Sequence, residues 1–240
     1  MKMLFNGELQ PITNEIGFLE CDEVKAHEAY VAWIGPIMAQ HGRRLSVEKV
    51  EGDFRTRLLK LLPLTSVQRR RELFLPTQSG WTAYFDNGWR GTDAFSAVSY
   101  LAELLGCRGI KAVSVDDTMA KPLPGRGGRY GATILEMYTP LGPDRQVLNI
   151  ARSIYAVNDG GKWRFDAGGP PFDFENESHF NAKRVKDRFT PEILDDYLRH
   201  LGIEFFSEAF YECRRPAYLV SLSGPMAPGT KEYTLAEAMK

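Results

Sequence analysis

The sequence has few cysteines and lacks a long hydrophobic run. Its three cysteines, Cys21, Cys107 and Cys213, lie far apart along the chain, and they fit neither a disulfide framework nor a paired metal knuckle. No stretch approaches the length of a membrane span, and the first residues lack the apolar core of a secretion signal. We therefore predict a cytoplasmic protein that does not enter the membrane.

Signature motifs of the common enzyme classes are also missing. The chain contains no G-x-S-x-G elbow, no H-E-x-x-H zinc motif, no Walker loop, no dinucleotide fingerprint and no kinase signature. Its four histidines are scattered along the sequence, so an acid/base site would need a histidine that the fold brings in. These absences favour a protein that is not an enzyme, and we expect neither a metal nor a cofactor.

Charge of one sign is not in large excess. The net charge is −1 and the sequence pI is about 6.5, which excludes a global attraction to nucleic acid or to an anionic membrane. Basic residues outnumber acidic ones between Arg43 and Glu72, most densely at Gln68–Arg71. No aromatic residue is interleaved with that basic run and no recognised module surrounds it. We do not expect a nucleic-acid partner.

A strand-helix-strand unit covers residues 81–117. The aromatic run Trp81–Phe85 favours a strand, and the apolar run Ala94–Leu105, without Gly or Pro, favours a helix that Thr92 can cap. Ile110–Val115 has the composition of a second strand. A strand, a helix and a strand in this order predict a crossover that joins two parallel strands.

The second half of the chain favours antiparallel pairing. Thr133–Tyr138, Leu148–Val157 and Lys162–Asp166 are strand candidates, and Asn158–Gly161 is a strong hairpin signal between the last two. Thr190 and Pro191 mark the start of a well-defined helix. We predict a single α+β domain over residues 1–222, with a mixed, largely antiparallel sheet and helices packed on it, followed by a loosely attached tail at 223–240.

Several segments resemble a group of uncharacterised bacterial proteins of about this length. The similar segments are RELFLPT, WTAYFDNGWRGTD, CRGIKAV and RVKDRFTPEILDDYLRHLGI, and the resemblance covers roughly residues 50–205. No activity is assigned to that group, so the resemblance implies no catalytic residue. Some small neutral-to-acidic bacterial proteins of this kind are immunity proteins that neutralise a toxin. The resemblance therefore implies a protein partner such as a toxin.

Two functional hypotheses follow. The first is a non-enzymatic protein-binding domain, immunity-like or inhibitor-like, because aromatic residues beside charges favour interfaces. Its candidate partner-binding residues are Trp89, Arg90, Asp173 and Glu175. Packing of Trp89 beneath its own loop is an equally good interpretation of that residue.

The second hypothesis is a small enzyme or ligand-binding domain with an aspartate-edged pocket. In a crossover unit, the aspartates that follow the two strands meet at one edge of the sheet, where sites of α/β units lie. Asp is also a common turn former and helix starter, which is the simpler explanation. The residues of this alternative pocket are Asp86, Asp93, Asp116, Asp117, Arg126 and Arg129.

Overall fold

A nine-stranded antiparallel sheet forms the centre of the fold, counted over residues 2–122, 124–141 and 149–240, which the computed structural model describes. The strands of the chain are β1 (Glu15–Leu19), β2 (Arg44–Val50), β3 (Leu64–Thr65), β4 (Arg71–Pro76), β5 (Thr82–Asp86), β6 (Gly109–Val115), β7 (Ala132–Tyr138), β8 (Ile150–Asp159), β9 (Lys162–Gly168), β10 (Ala217–Ser223) and β11 (Glu232–Tyr233). The sheet order is β2-β10-β4-β5-β1-β6-β7-β8-β9, and β3 pairs separately with β11.

Helices cover both faces of this sheet. They are α1 (Glu23–Ala39), α2 (Phe54–Leu59), α3 (Ala94–Leu105), α4 (Pro191–His200), α5 (Glu208–Tyr211) and α6 (Leu235–Ala238). Buried residues of α1 and α3 join one core cluster with strand residues such as Phe74 and Tyr84. Residues of α2, α4 and α5 join the other, larger cluster. The predicted α+β class with a largely antiparallel sheet is confirmed.

The crossover unit is present with one strand more than predicted. Both β5 and β6 pair antiparallel with β1, so they run parallel to each other with β1 between them. Strand β1 precedes residues 81–117 in the sequence. Its position between β5 and β6 could therefore not be predicted from those residues alone. All the strand ladders in the described ranges are antiparallel.

The antiparallel meander of the second half is confirmed. Strands β7, β8 and β9 are neighbours in the sheet, and the β8–β9 turn contains Gly160 and Gly161 at positive φ. The predicted strand began at Leu148, which lies outside the described residues, as does Leu123 in the loop before β7. Over the ranges described, no helix combines the length and apolar character needed to cross a bilayer.

The last residues of the chain pack against the domain. Strand β11 pairs with β3, and Thr234 and Glu237 form a capping box at the start of α6. Ala238 is buried, and the backbone N–H of Gly127 donates to the carbonyl of Met239 at 2.7 Å. The sequence predicts a loosely attached tail at 223–240. The residues that contact the tail come from distant parts of the chain, so the local sequence around the tail does not indicate them.

Candidate functional site

An open cleft of about 660 Å³ lies at the end of the sheet where β5 and β6 finish and β1 begins. We call it the arginine cleft, and the residues that line it are Asn14, Trp89, Arg90, Val115, Gly128, Arg129, Tyr130 and Ala238. They come from the residue before β1, the loop after β5, the end of β6, the loop between β6 and β7, and α6. The cleft therefore exists only because of the tertiary fold.

The loop after β5 places Trp89 and Arg90 in the arginine cleft. The Trp89 ring stacks on Tyr233 of β11 with ring centroids 5.2 Å apart, and the Arg90 guanidinium lies 4.9 Å from the Trp89 ring centroid. The loop needs its glycines. A Cβ on Gly88 would lie 2.4 Å from the carbonyl oxygen of Gly91, and Gly91 itself has φ of 117°. Trp89 thus packs against its own molecule and also faces the cleft.

Arg129 lines the cleft from the loop between β6 and β7. Thr118 and Arg129 close their loop with two hydrogen bonds, from the Thr118 N–H to the Arg129 carbonyl at 2.9 Å and from the Arg129 N–H to the Thr118 hydroxyl at 3.1 Å. The guanidinium donates to the carbonyl of Ala238 at 3.1 Å. Burial, and then the neighbouring Arg126, lower the pKa of Arg129 from its usual value. The α6 tail therefore fixes one of the two cationic groups in the cleft.

Asn14 adds an unsatisfied polar atom to the lining of the cleft. The residue is only 5% exposed, and its Oδ1 has no hydrogen-bond partner among the described residues. A buried amide oxygen without a partner costs free energy. Sequence reasoning missed Asn14, because a single Asn before a strand carries no functional signal.

The aspartates of the alternative pocket do not converge. Asp86 is fully buried and accepts hydrogen bonds from the N–H groups of Gly88 at 2.7 Å and Asp93 at 2.8 Å. Asp93 is exposed. Asp116 lines a separate cavity of about 20 Å³, and exposed Asp117 accepts from the Asn158 amide at 2.8 Å. Asp86 therefore organises its loop and shares Arg69 with Asp93, at 3.1 Å and 3.9 Å, whereas Asp116 and Asp117 lie in other environments.

The two arginines of that alternative pocket are near each other. Arg126 and Arg129 both line the cavity that contains Asp116. The Arg126 guanidinium donates to the carbonyl of Gly7 and to the Gln10 side chain, each at 3.1 Å. Arg126 thus ties the N-terminal segment to the loop, while Arg129 serves both the cavity and the arginine cleft.

Asp173 and Glu175 lie away from the lining of the arginine cleft. The Glu175 side chain is fully buried and accepts a hydrogen bond from Arg152 Nε at 2.8 Å, in an ion pair with a side chain that is only 4% exposed. It also accepts from the Phe172 N–H at 3.0 Å. Asp173 is exposed. The carboxylate of Glu175 therefore holds the segment after β9 against β8, and it does not face solvent.

A row of three acidic side chains was also missed by sequence reasoning. Glu72 of β4 pairs in register with Asp86 of β5, and Glu15 occupies the next strand on the same face. Arg69 Nε lies 3.1 Å from Asp86. Burial raises the pKa of Glu72 to about 8, that of Glu15 to about 7 and that of Asp86 to about 6. Glu72 and Asp86 lie on consecutive strands, but Glu15 lies far from them in sequence, so the three acids form no local pattern.

Two members of this acidic row, Glu15 and Asp86, hold the start of α3. The predicted N-cap, Thr92, is replaced by two carboxylates from the strands: Glu15 accepts from the Ala94 N–H at 2.7 Å and Asp86 accepts from the Asp93 N–H. Asp93 occupies the N-cap position, and its own side chain makes no capping bond. Negative groups at a helix N-terminus are stabilising, because the unpaired N–H groups point at them. The acidic row therefore has a structural role.

Comparisons with protein families, with curated proteins and with solved structures find no match to this chain. Within the described residues, no group of three or more His, Cys, Asp or Glu side chains could hold a metal ion. The arginine cleft is therefore the feature of the molecule on which a functional proposal can be based.

Proposed function

We propose that this chain is a non-enzymatic protein-binding domain, immunity-like or inhibitor-like, that holds an acidic segment of its partner in the arginine cleft. One observation carries the proposal: two guanidinium groups, Arg90 and Arg129, share one open cleft with the aromatic rings of Trp89 and Tyr130. None of the described residues that line it is an Asp or a Glu. Arginine and large aromatic residues are the side chains most enriched at binding hot spots.

Charge supports an acidic occupant. Neither Arg90 nor Arg129 forms an ion pair with any described residue. A carboxylate that entered the cleft would meet two guanidinium groups, each able to bind it in a bidentate manner. The exposed ring of Tyr130 and the half-buried ring of Trp89 offer apolar surface to a neighbouring side chain. A toxin is one partner of this kind, and we propose the cytoplasm as the site of binding.

A matched pair of peptides tests the proposal. One probe alternates Asp with Phe, and the other alternates Asn with Phe. We expect the acidic peptide alone to quench tryptophan fluorescence, with an affinity that falls as salt rises. Arg90→Gln should weaken the binding at least about tenfold, because a charged hydrogen bond is worth roughly 1.5–3 kcal/mol.

The control is Arg44→Gln, which removes an exposed arginine on the edge strand β2, outside the cleft. This variant should bind the acidic peptide as the wild type does. In parallel, tagged protein should recover a stoichiometric partner from lysate of its native host, and Trp89→Ala should lose it. Equal binding of the two peptides, or full partner recovery by the Arg90→Gln and Trp89→Ala variants, would rule out the arginine cleft as the interface.

A second candidate, a small ligand-binding domain, is favoured by the cavity that Asp116, Arg126 and Arg129 line together. Its volume of about 20 Å³ is that of one or two water molecules, so only an ion or a very small group would fit. A small molecule or ion that co-purifies with the clean protein, and is lost in Arg126→Gln, would favour this candidate.

A further inference from the structure

The fold brings together two cysteines that are far apart in sequence. Leu19 pairs with Gly109 in the β1–β6 ladder, and the next hydrogen bond runs from the Glu20 N–H to the Arg108 carbonyl at 2.9 Å. The same antiparallel register places Cys21 opposite Cys107. Sequence spacing argued against a disulfide framework, whereas the register makes these two residues cross-strand neighbours.

The geometry of this position suits a disulfide. Directly opposed residues of an antiparallel pair have Cβ atoms about 4.5–5.5 Å apart. A disulfide needs Cβ atoms roughly 3.5–4.5 Å apart, so only a small movement separates the two arrangements. Both residues lie just beyond the last regular pair of the ladder, where the chain turns and can adjust.

The two thiols are neighbouring, half-buried groups. Cys21 and Cys107 are both free and of intermediate exposure, and both pack against the core cluster of α1 and α3. A hydrogen bond from the Cys21 thiol lowers the pKa of Cys107, and the same bond raises the pKa of Cys21. Cys107 is therefore the better nucleophile of the pair.

We propose that Cys21 and Cys107 form a reversible disulfide by exchange with a small disulfide such as oxidised glutathione. The Cys107 thiolate attacks one sulfur of the small disulfide, and the other sulfur leaves as a thiolate. The Cys21 thiol then loses its proton to solvent, attacks the Cys107 sulfur of the mixed disulfide and releases the second small thiol. The protein loses two hydrogens, and the small disulfide becomes two thiols, so electrons and atoms balance.

The disulfide would tie the end of β1 to the turn after α3. This is the opposite end of β1 from Asn14, so the modification is separate from the arginine cleft and does not depend on the proposed function. Beside it, Arg108 and Glu20 form a two-pronged ion pair with both N···O distances at 2.6 Å. That pair already holds the two segments in register before any covalent bond forms.

The experiment uses the full-length protein treated with oxidised glutathione at neutral pH. Free thiols are then alkylated in denaturant, and non-reduced peptides are analysed by mass spectrometry. We expect a Cys21–Cys107 cross-linked peptide, one alkylated cysteine at Cys213, and reversal by dithiothreitol. The oxidised protein should melt at a higher temperature than the reduced protein, because the crosslink restricts the unfolded chain.

Two variants sharpen the result. Cys213→Ser is the matched control and should form the same cross-link. Cys21→Ser should stop at a stable glutathione adduct on Cys107, because the resolving thiol is missing. The proposal would be overturned if the native protein kept all its thiols, if it accumulated glutathione adducts without the cross-link, or if the cross-link involved Cys213.

Discussion

At the scale of single residues, burial decides what the charged groups do. Glu72 is 4% exposed, and its Oε2 has no partner among the described atoms. The Glu175 side chain is also fully buried, but Arg152 forms an ion pair with it. A buried carboxylate with a charged partner is held by that ion pair. A buried carboxylate without a partner is favoured in its protonated, neutral form.

The raised pKa of Glu72 predicts that the protein loses stability as the pH rises. Its folded pKa of about 8 exceeds its usual value of 4.5, because burial and the nearby Asp86 outweigh the opposing effects of Tyr30 and Arg69. The folded state thus binds the proton more tightly than the unfolded state, and this contribution is complete below pH 4.5 and lost as the pH rises through about 8. Glu15, with a pKa of about 7, adds a change of the same sign.

Urea denaturation over this pH range measures the effect. We expect the free energy of unfolding of the wild type to fall by on the order of a few kcal/mol, and Glu72→Gln to remove much of that fall because Gln is neutral at every pH. Glu48→Gln, on exposed β2, is the control and should keep the wild-type dependence. A wild-type dependence of the opposite sign, or one that Glu72→Gln leaves intact, would contradict the prediction.

At the scale of elements, helix α3 is fixed on the sheet by its ends and by its contact face. The carboxylates of Glu15 and Asp86 hold its first turn, and Gly106, in the left-handed conformation, ends it. Val98 lies over two strand glycines, since a Cβ on Gly17 would be 2.5 Å from its Cγ2 and a Cβ on Gly109 would be 2.9 Å from its Cγ1. The helix can approach the sheet closely only because both positions lack a side chain.

Gly17→Ala should therefore destabilise the protein by about 1–3 kcal/mol through overpacking against Val98 and Ala94. The matched control is Gly80→Ala in the loop before β5, where an added Cβ would meet no atom within 4 Å beyond the chain neighbours, and it should stabilise by roughly 0.4–1 kcal/mol by restricting the unfolded chain. Urea denaturation compares the two. Adding Val98→Ala to Gly17→Ala should recover part of the loss. Equal effects of the two Gly→Ala changes would show that α3 does not sit directly on β1.

Prediction of elements from sequence succeeded where the signals are local. Thr190 caps α4 and Pro191 begins it, because a cap depends only on neighbouring residues. The apolar and aromatic run 203–211 has the composition of a strand, but it contains the short helix α5, and its aromatic residues enter the core without joining a ladder. Apolar composition alone cannot distinguish these outcomes.

At the scale of the whole molecule, the arginine cleft depends on contacts between the two ends of the chain and its middle. Asn14 comes from the segment just before the first strand, Ala238 from the last helix, and Trp89 from a central loop. The tail contributes Tyr233 to the stack on Trp89 and the Ala238 carbonyl to Arg129. Residues 231–240 thus form part of the candidate binding site.

Removing residues 231–240 should lower the free energy of unfolding by about 2 kcal/mol, from one aromatic pair and the hydrogen bonds of the tail. The tryptophan fluorescence should change because Trp89 loses its stacking partner, and binding of the acidic peptide should weaken because Arg129 is released. Tyr233→Leu isolates the loss of the stack. If the truncated protein kept the stability and fluorescence of the full chain, the tail would be loosely attached, as the sequence suggests.

The sequence by itself determined the local features of this protein: the α+β class, the glycine-bearing turns, the hairpin between β8 and β9 and the capped helix α4. Each of these depends on dihedral preferences and hydrogen bonds within a few residues. Only the tertiary structure decided which side chains meet. The insertion of β1 between β5 and β6 set the acidic row beside α3, Asn14 beside the two cleft arginines, and Cys21 opposite Cys107. Strand register makes neighbours of residues that are distant in sequence, and no local pattern specifies it.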